Sequence, residues 1–409
     1  MGDWKDILAD RKFIPVARGW ILYSLLILGF VVYGLGEFLS KDKEPNFLFH
    51  GLGAAQTSKT NIPSNAYLST LKDFAFPVAV TQDLEGNLWV IDHSNNRILR
   101  VEKDNRVYLV AGNGSSKASG DGGPAQTAGI FPIAFSLGPD GSLYVADHEN
   151  HRIRKIFSDG TIETLAGTGQ AGFSGDGGLA WKAQLNDPTG VAVDQANNIY
   201  IADHGNHRIR VVRPDGTIET LAGNGQEGFS GDDGPALEAK LSSPWSVTVD
   251  CKGGLLVTDI GNNRIRVIHS DGKIQTVAGD GKSEFKGDGG PAVAASINSS
   301  VAVAPDCRTQ SLYIADTGSD RIRRVNQEGI IQTVAGTGIF GSKGDGGTAL
   351  NAEFGSPYGL WVDPQGGVYV ADANNQRIRY IAPNQIVRTV LSPRRAEYKP
   401  KSGVEASVK

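Results

Sequence analysis

One short pattern recurs six times along this chain. The pattern Asp-x-x-[Asn/Ser]-x-Arg-Ile begins at six aspartates spaced 55 to 57 residues apart: Asp92, Asp147, Asp203, Asp259, Asp316 and Asp372. Each copy lies inside the same longer unit, seen most clearly at residues 187–242, so residues 75–392 are one unit written six times. A repeat of this length predicts a fold of stacked equivalent modules, in which residues shared by all copies usually serve the stacking.

Each unit predicts four short β-strands. In the third unit, segments rich in β-branched residues are separated by turn formers such as Pro214-Asp215-Gly216, and they span residues 190–194, 199–203, 208–213 and 217–222. Four short antiparallel strands make one blade, and a closed ring of six blades buries both faces of every sheet. The sequence therefore predicts an all-β, six-bladed β-propeller. The fifth unit is the least regular, because Ser319 replaces the asparagine and no proline precedes its first strand.

The loops of such a ring are sorted onto two faces by strand direction. The turn between the second and third strands lies on the same face as the long connection to the next blade, and we call this the long-loop face. Each connection carries a Gly-Asp-Gly-Gly-like segment, at residues 120–123, 175–178, 231–234, 287–290 and 344–347. Five copies indicate a built-in part of the repeat rather than a separate functional loop.

These motifs resemble a known family of β-propellers. Gly-Val-Ala-Val-Asp, [Ile/Leu]-Tyr-[Ile/Val]-Ala-Asp-x-x-Asn-x-Arg-Ile-Arg and Gly-[Phe/Ser]-x-Gly-Asp-Gly-Gly-Pro-Ala are similar to the NHL repeat over residues 75–392. The resemblance implies a rigid platform that binds protein, peptide or RNA. A minority branch, the peptidyl-hydroxyglycine amidating lyases, is enzymatic and uses metal-binding histidines.

The N-terminal region predicts a membrane anchor. Residues 19–36 contain no charged side chain, which is just enough to cross a hydrocarbon core of ~30 Å. Four basic residues precede this segment: Lys5, Arg11, Lys12 and Arg18. Only two, Lys41 and Lys43, follow soon after it. That excess predicts residues 1–18 in the cytoplasm, a transmembrane helix at 19–36 and a propeller on the extracytoplasmic side. A cleaved signal peptide is the alternative interpretation.

The segments that flank the propeller have less regular patterns. Residues 37–74 form a linker that includes a candidate ring-closing strand, because residues 47–53 resemble a fourth strand and residues 65–77 resemble a connection between blades. We expect this stretch either to close the ring beside the last blade or to add an outer strand. Residues 393–409 are polar without apolar periodicity and predict a disordered tail.

Charge and cysteine content narrow the function further. A net charge of -4 argues against a nucleic-acid platform, which usually has a basic stripe. The two cysteines, Cys251 and Cys307, occupy the same place in neighbouring units and suggest a disulfide. Equivalent positions in adjacent blades are expected ~10 Å apart, whereas bridged Cα atoms lie within about 7 Å, so the pairing stays open.

Residues common to all units are interpreted as architecture. Asp203 and Arg208, with their counterparts, are expected to pair or to cap turns. The Gly-Asp-Gly-Gly loops lack the further carboxylates that a calcium loop gathers, although calcium binding there is kept as a hypothesis. Three histidines follow the repeat aspartate in units one to three only: His93, His148 and His204. A zinc site formed by these three is a second metal hypothesis, because zinc takes three or four such ligands. The alternative interpretation is that they are polar turn residues that face water.

Aromatic residues beside the proline that opens the innermost strand are the preferred binding candidates. They occur in units one, two, four and six and are Phe76, Phe131, Trp245 and Tyr358. If they face solvent near the channel mouth, they form an apolar patch of the kind that marks partner sites. If they pack between blades, they belong to the core.

The sequence therefore predicts a membrane-tethered propeller that acts as a scaffold for a protein partner or a ligand on its long-loop face. Other membrane subunits could contact its transmembrane helix, and no cofactor is required. The alternative is a metal-dependent lyase or hydrolase at the channel mouth. No hydrolase elbow, dinucleotide fingerprint or metalloprotease helix is present in the sequence.

Overall fold

The structure is a computed structural model that describes residue 62, residues 66–68 and residues 71–393. These residues form six antiparallel sheets, each built from four consecutive strands, and the first three sheets carry a short fifth strand at one edge. Within each sheet the chain runs outward from the central axis, so the first full strand of every blade is the innermost. The predicted all-β, six-bladed propeller is confirmed.

The first three blades share one plan, with a short outer strand and then four strands counted from the centre outward. Blade one comprises β1 (Ala66–Leu68), β2 (Pro77–Gln82), β3 (Leu88–Asp92), β4 (Arg97–Val101) and β5 (Val107–Ala111). Blade two comprises β6 (Gly123–Pro124), β7 (Pro132–Leu137), β8 (Leu143–Asp147), β9 (Arg152–Ile156) and β10 (Thr161–Ala166). Blade three comprises β11 (Gly178–Leu179), β12 (Pro188–Val193), β13 (Ile199–Asp203), β14 (Arg208–Val212) and β15 (Thr217–Ala222).

The last three blades have four strands each. Blade four comprises β16 (Pro244–Val249), β17 (Leu255–Asp259), β18 (Arg264–Ile268) and β19 (Ile274–Ala278). Blade five comprises β20 (Ala302–Asp306), β21 (Ser311–Asp316), β22 (Arg321–Val325) and β23 (Ile331–Ala335). Blade six comprises β24 (Pro357–Val362), β25 (Val368–Asp372), β26 (Arg377–Ile381) and β27 (Val387–Leu391).

The described helices are single turns of 3-10 type. One follows the second strand of each blade, at His93–Asn95, His148–Asn150, His204–Asn206, Ile260–Asn262, Thr317–Ser319 and Ala373–Asn375. Another lies in each connection between blades, at Ala125–Thr127, Ala180–Lys182, Ala236–Glu238, Ala292–Ala294 and Ala349–Asn351. In the described part of the chain no helix is long and apolar enough to cross a membrane. The predicted anchor at 19–36 and the tail from residue 394 lie outside the described residues.

The ring closes through side-chain packing between blades six and one. A single core cluster joins Val80 and Leu88 of blade one to Ile378 and Leu391 of blade six. Their innermost strands also approach closely, since a Cβ atom on Gly359 would lie 2.6 Å from the carbonyl oxygen of Val78. Burial of one large aliphatic side chain is worth about 1.5–3 kcal/mol, so this interface needs no shared strand.

The described strand before the first repeat unit belongs to blade one. β1 pairs in antiparallel register with β5, with Ala66 opposite Leu109 and Leu68 opposite Val107. It is therefore an added outer strand on the first blade rather than a strand beside the last one. Residues 47–53, the other part of the predicted closing segment, lie outside the described residues.

Buried ion pairs connect each blade to the loop that precedes it. In blade three, Arg210 Nη1 donates to Asp203 Oδ2 at 3.3 Å, and both side chains are fully buried. The same guanidinium donates to Asp176 Oδ1, in the Gly-Asp-Gly-Gly loop, at 2.6 Å. Asp203 and Arg208 do not pair in this blade, where Arg208 stacks over the ring of Phe173 at 3.8 Å. The capping role holds, because Asp203 accepts from the Asn186 N–H and Arg208 donates to the carbonyl oxygens of Asn206 and Asn224.

In all five Gly-Asp-Gly-Gly-like loops, the aspartate forms an ion pair with a buried arginine of the following blade. The pairs are Asp121 with Arg154, Asp176 with Arg210, Asp232 with Arg266, Asp288 with Arg323, and Asp345 with Arg379. The loop carboxylates are thus engaged by guanidinium groups, which compete with any cation for the same oxygens. These loops clamp neighbouring blades together.

Cys251 and Cys307 form a disulfide between blades four and five. Their Cα atoms are 5.3 Å apart, much closer than the sheet-packing distance used for the sequence estimate. The two cysteines lie in the turns that follow the innermost strands β16 and β20, where neighbouring blades converge on the axis. The bridge therefore lies on the face opposite the long loops, which we call the short-turn face.

Candidate functional site

The six innermost strands surround a cavity of about 770 Å³ on the propeller axis. At one end, on the long-loop face, it begins at Trp245 and Tyr358. At the other end it reaches the turns that hold Leu84, Cys307 and Pro364 on the short-turn face. The repeat places these residues, because each inner strand starts at the long-loop face and runs toward the opposite one.

The four aromatic residues singled out from the sequence come together at the long-loop end of this cavity. Tyr358 contacts Phe76 edge to face with ring centroids 5.6 Å apart, and it contacts Trp245 in the same way at 6.4 Å. Phe131 is joined to Phe76 through the ring of His93, at 4.8 Å and 6.1 Å respectively. All four are partly buried, so they pack on one another and still present ring surface to solvent.

The three histidines belong to the same assembly, which we call the mouth cluster: Phe76, His93, Phe131, His148, His204, Trp245 and Tyr358. His93 and His148 lie on either side of Phe131, at 4.8 Å and 6.2 Å between ring centroids. His204 meets Trp245 edge to face at 5.4 Å. The aromatic and histidine candidates, selected by separate arguments from the sequence, thus line one mouth.

Each histidine also braces its blade against the next one. The Nδ1 atom of His93 lies 2.9 Å from the carbonyl oxygen of Pro132, the residue that opens the inner strand of blade two. Burial lowers the pKa of His148 to about 4, against the opposing influence of Asp187 and the Pro188 carbonyl. Burial likewise lowers the pKa of His204, against the Pro244 carbonyl. These imidazoles are therefore neutral at pH 7.

The geometry brings the three histidines to one mouth without forming a recognisable metal centre. Within the described stretches, no group of three or more histidine, cysteine, aspartate or glutamate side chains is arranged to hold a metal ion. The ring of Phe131 separates His93 from His148. The zinc and calcium hypotheses remain predictions.

Asp187 is the residue at the mouth that sequence reasoning passed over. It occupies the position before the opening proline, where blades one and two have Phe76 and Phe131. Burial opposes its ionisation, but the hydrogen bond with His151 and the proximity of His148 hold the pKa of Asp187 below its usual value. The signal was available, because no other unit has a carboxylate at this position.

Backbone strain at this position is part of the repeat. Phe76 and Asp187 have positive φ angles of 52° and 49°, and Ser243, Ser299 and Ser356 share the conformation. For a bulky residue such as Phe76 this costs of order 1–3 kcal/mol. In unit three, a hydrogen bond to the preceding blade stabilises this backbone conformation. The Asp187 N–H donates to His151 Nδ1 at 3.1 Å. His207 accepts from the Ser243 N–H in the same way.

The family comparison matches the strands that build this site. The NHL repeat matches residues 131–156, 185–212 and 241–268. These stretches span the three inner strands of blades two, three and four. They include Phe131, His148, His204 and Trp245 of the mouth cluster.

Curated proteins that resemble this chain are longer than it is. NHL repeat-containing protein 2 of Bos taurus is 28% identical over 339 residues, which cover 71% of this chain and 45% of that protein. Teneurin-4 of Mus musculus is 28% identical over 410 residues, which cover 90% of this chain and 14% of that protein. The chain thus spans less than half the length of these curated relatives.

Among solved structures, an auxiliary nutrient binding protein from Bacteroides thetaiotaomicron aligns with a TM-score of 0.56 at 12% identity. The alignment covers 81% of this chain and 74% of that chain, and it shows a shared fold. Six sheets, the repeated Asp–Arg network and the matched family lead to one conclusion. The chain contains NHL repeats, and its six repeat units are the six blades of a β-propeller.

Proposed function

We propose that this protein is a membrane-tethered, extracytoplasmic scaffold that binds a protein partner through the mouth cluster. The observation that carries the proposal is the contiguous set of partly exposed aromatic rings at one end of the axis. Aromatic residues that cluster at the centre of a surface typically dominate the binding energy of a protein interface.

The frame around these rings suits a docking platform. Each ring side chain starts from the beginning of an inner strand or from a single-turn helix, and the His93 ring also contacts the Pro132 carbonyl of the next blade. Little conformational entropy is then lost when a partner binds, and preorganisation of this kind raises affinity. The cluster also departs from the repeat, since blades three and five have no aromatic residue beside the start of the inner strand, whereas the other four blades each have one.

The proposed location rests on two independent features. The basic residues before the apolar segment 19–36 support an N-terminus in the cytoplasm. The disulfide between Cys251 and Cys307 supports a propeller in an oxidising compartment, because such bonds persist mainly outside the cytosol. The apolar segment could also contact other membrane subunits.

A site-specific photo-crosslinker in cells tests this function. Benzoylphenylalanine replaces Phe131 in the mouth cluster, Leu84 on the short-turn face or Trp181 in a connection, in the full chain with its N-terminal segment. We expect a discrete crosslinked protein from position 131, and a much weaker product from positions 84 and 181. Crosslinking from position 84 or 181 with none from position 131 would place the partner elsewhere and refute the proposed site.

A further inference from the structure

The axial cavity has walls that are predominantly apolar, with polar groups among them. The side chains that face it come from every inner strand, and Val80, Phe135, Val193, Val247 and Leu360 are typical of them. Its volume of about 770 Å³ falls within the range of small-molecule sites, which is about 300–1,000 Å³. The cavity is therefore large enough for a small molecule, and its predominantly apolar lining is typical of small-molecule sites.

Three of the hydroxyl groups in the wall are already engaged by the protein. Thr189 Oγ1 donates to the Pro244 carbonyl at 3.2 Å, and Thr248 Oγ1 donates to the Val303 carbonyl at 3.4 Å. Ser136 Oγ accepts from the Val193 N–H at 3.2 Å. A buried water molecule needs two to four polar partners, so these walls offer water little compensation.

The charged groups that reach the cavity lie at its short-turn end and are paired there. Asp306 Oδ2 accepts from Arg308 at 3.0 Å and from Thr309 at 2.8 Å. Asp363 accepts from two backbone N–H groups and from the hydroxyl of Tyr380 at 2.7 Å. A charged ligand in the cavity would therefore lack an unpaired counter-ion, and burial of an unpaired charge is costly.

The two ends of the cavity differ in access. At the long-loop end, Trp245 and Tyr358 meet across the axis. At the short-turn end, Leu84 lines the cavity and is 59% exposed to solvent. The short-turn end, where Cys307 of the disulfide also lines the cavity, is therefore the end with a strongly exposed apolar side chain.

We propose that the axial cavity binds an uncharged, predominantly apolar small molecule that is admitted from the short-turn face. This site is distinct from the partner-binding mouth cluster, and the Trp245–Tyr358 contact forms the wall between them. The apolar part of the wall packs against the ligand, and the paired charges at the short-turn end supply no counter-ion for a charged head group.

Photoaffinity labelling of the full chain in lipid nanodiscs tests the proposal. The probe is hexadecanol that carries a mid-chain diazirine, and the matched probes are the corresponding carboxylate and trimethylammonium compounds. Labelled residues are identified by peptide mass spectrometry, and unlabelled hexadecanol is the competitor. We expect saturable labelling of the inner strands by the alcohol, and labelling at least ten times weaker by either charged probe.

Two variants fill the cavity from different walls. We expect Ala192→Phe and Ala134→Phe each to reduce inner-strand labelling at least tenfold, whereas Leu237→Phe, at a side chain 48% exposed in a connection, leaves it unchanged. Circular dichroism checks that each variant folds, and competition in the unmodified chain needs no variant. Labelling that does not saturate, lies outside the inner strands, is equal for the charged probes or persists in both folded variants would overturn the proposal.

Discussion

The indole ring of Trp245 and the phenol ring of Tyr358 meet edge to face at 6.4 Å, although blade five lies between their blades. Both residues follow the proline that opens an inner strand, where other blades have small or aliphatic residues such as Val78 and Thr189. Two departures from the repeat thus meet across the axis. This contact lies at the long-loop end of the cavity and joins two members of the mouth cluster.

Removal of a buried arginine should destabilise the propeller strongly. Arg210→Met leaves Asp203 without its guanidinium partner in a fully buried position, and it frees the loop carboxylate of Asp176. We expect a loss of about 3–5 kcal/mol in the free energy of unfolding, the usual cost of breaking a buried pair on one side. Chemical denaturation measures it.

The matched control for that prediction is Arg106→Met. Arg106 is exposed and pairs with Asp104 in a turn, where water screens the interaction. Its denaturation midpoint should be unchanged. If Arg210→Met is equally neutral, the blade-to-loop clamp is not a source of stability.

His148 should make stability fall as the pH falls. Burial depresses its pKa to about 4, whereas the unfolded chain takes up the proton near 6.5. The unfolded state therefore binds more protons between these values, and the contribution of His148 to stability is lost as the pH drops from 6.5 toward 4. We expect roughly 3 kcal/mol of difference between the unmodified chain and His148→Gln to disappear over this window.

The measurement is the pH dependence of the unfolding free energy, taken as a difference between the two proteins. Such a difference is needed because burial raises the pKa of Asp203, Asp259 and Asp316 to about 6, which makes stability fall as the pH rises over the same window. His269→Gln, in an exposed turn, serves as control. Parallel curves for the unmodified chain and His148→Gln would show that His148 does not titrate differently in the folded state.

The disulfide should stabilise the ring at blades four and five. It links residues 56 positions apart, and closing a loop of that length in the unfolded chain is worth about 4 kcal/mol in the chain-entropy model. Reductant should therefore lower the denaturation midpoint of the unmodified chain. The double variant Cys251→Ser, Cys307→Ser should have that lower midpoint already and should not respond to reductant. Alkylation of both cysteines without reductant would show that the bond is absent.

Strand positions in the propeller were predictable because the repeat interval and the turn-forming residues determine where each strand begins and ends. The strands expected in the third unit agree with β12 to β15 to within two residues at each end. In blade five the missing proline has a visible effect, because β20 begins at Ala302 and is a residue shorter than the other inner strands.

Contacts that depend on the curvature of the ring were not predictable from the repeat. Register places Arg208 opposite Asp203, yet Arg210, two residues further along the same strand face, has the reach to bridge strand and loop. Likewise, a uniform sheet spacing overestimates the distance between Cys251 and Cys307 near the axis. Asp187 stands out in the sequence as a carboxylate found in one unit only, but its contacts with His148 and His151 depend on how blades two and three pack.

The central claim, that the mouth cluster binds a protein partner, is tested most directly by affinity. The dissociation constant of the full chain for the partner crosslinked from position 131 should increase at least tenfold in the double variant Trp245→Ala, Tyr358→Ala, equivalent to about 1.4 kcal/mol or more. Trp181→Ala, at a side chain 55% exposed in a connection, should bind within about twofold of the unmodified chain. A folded double variant that binds as tightly as the unmodified chain would contradict the account.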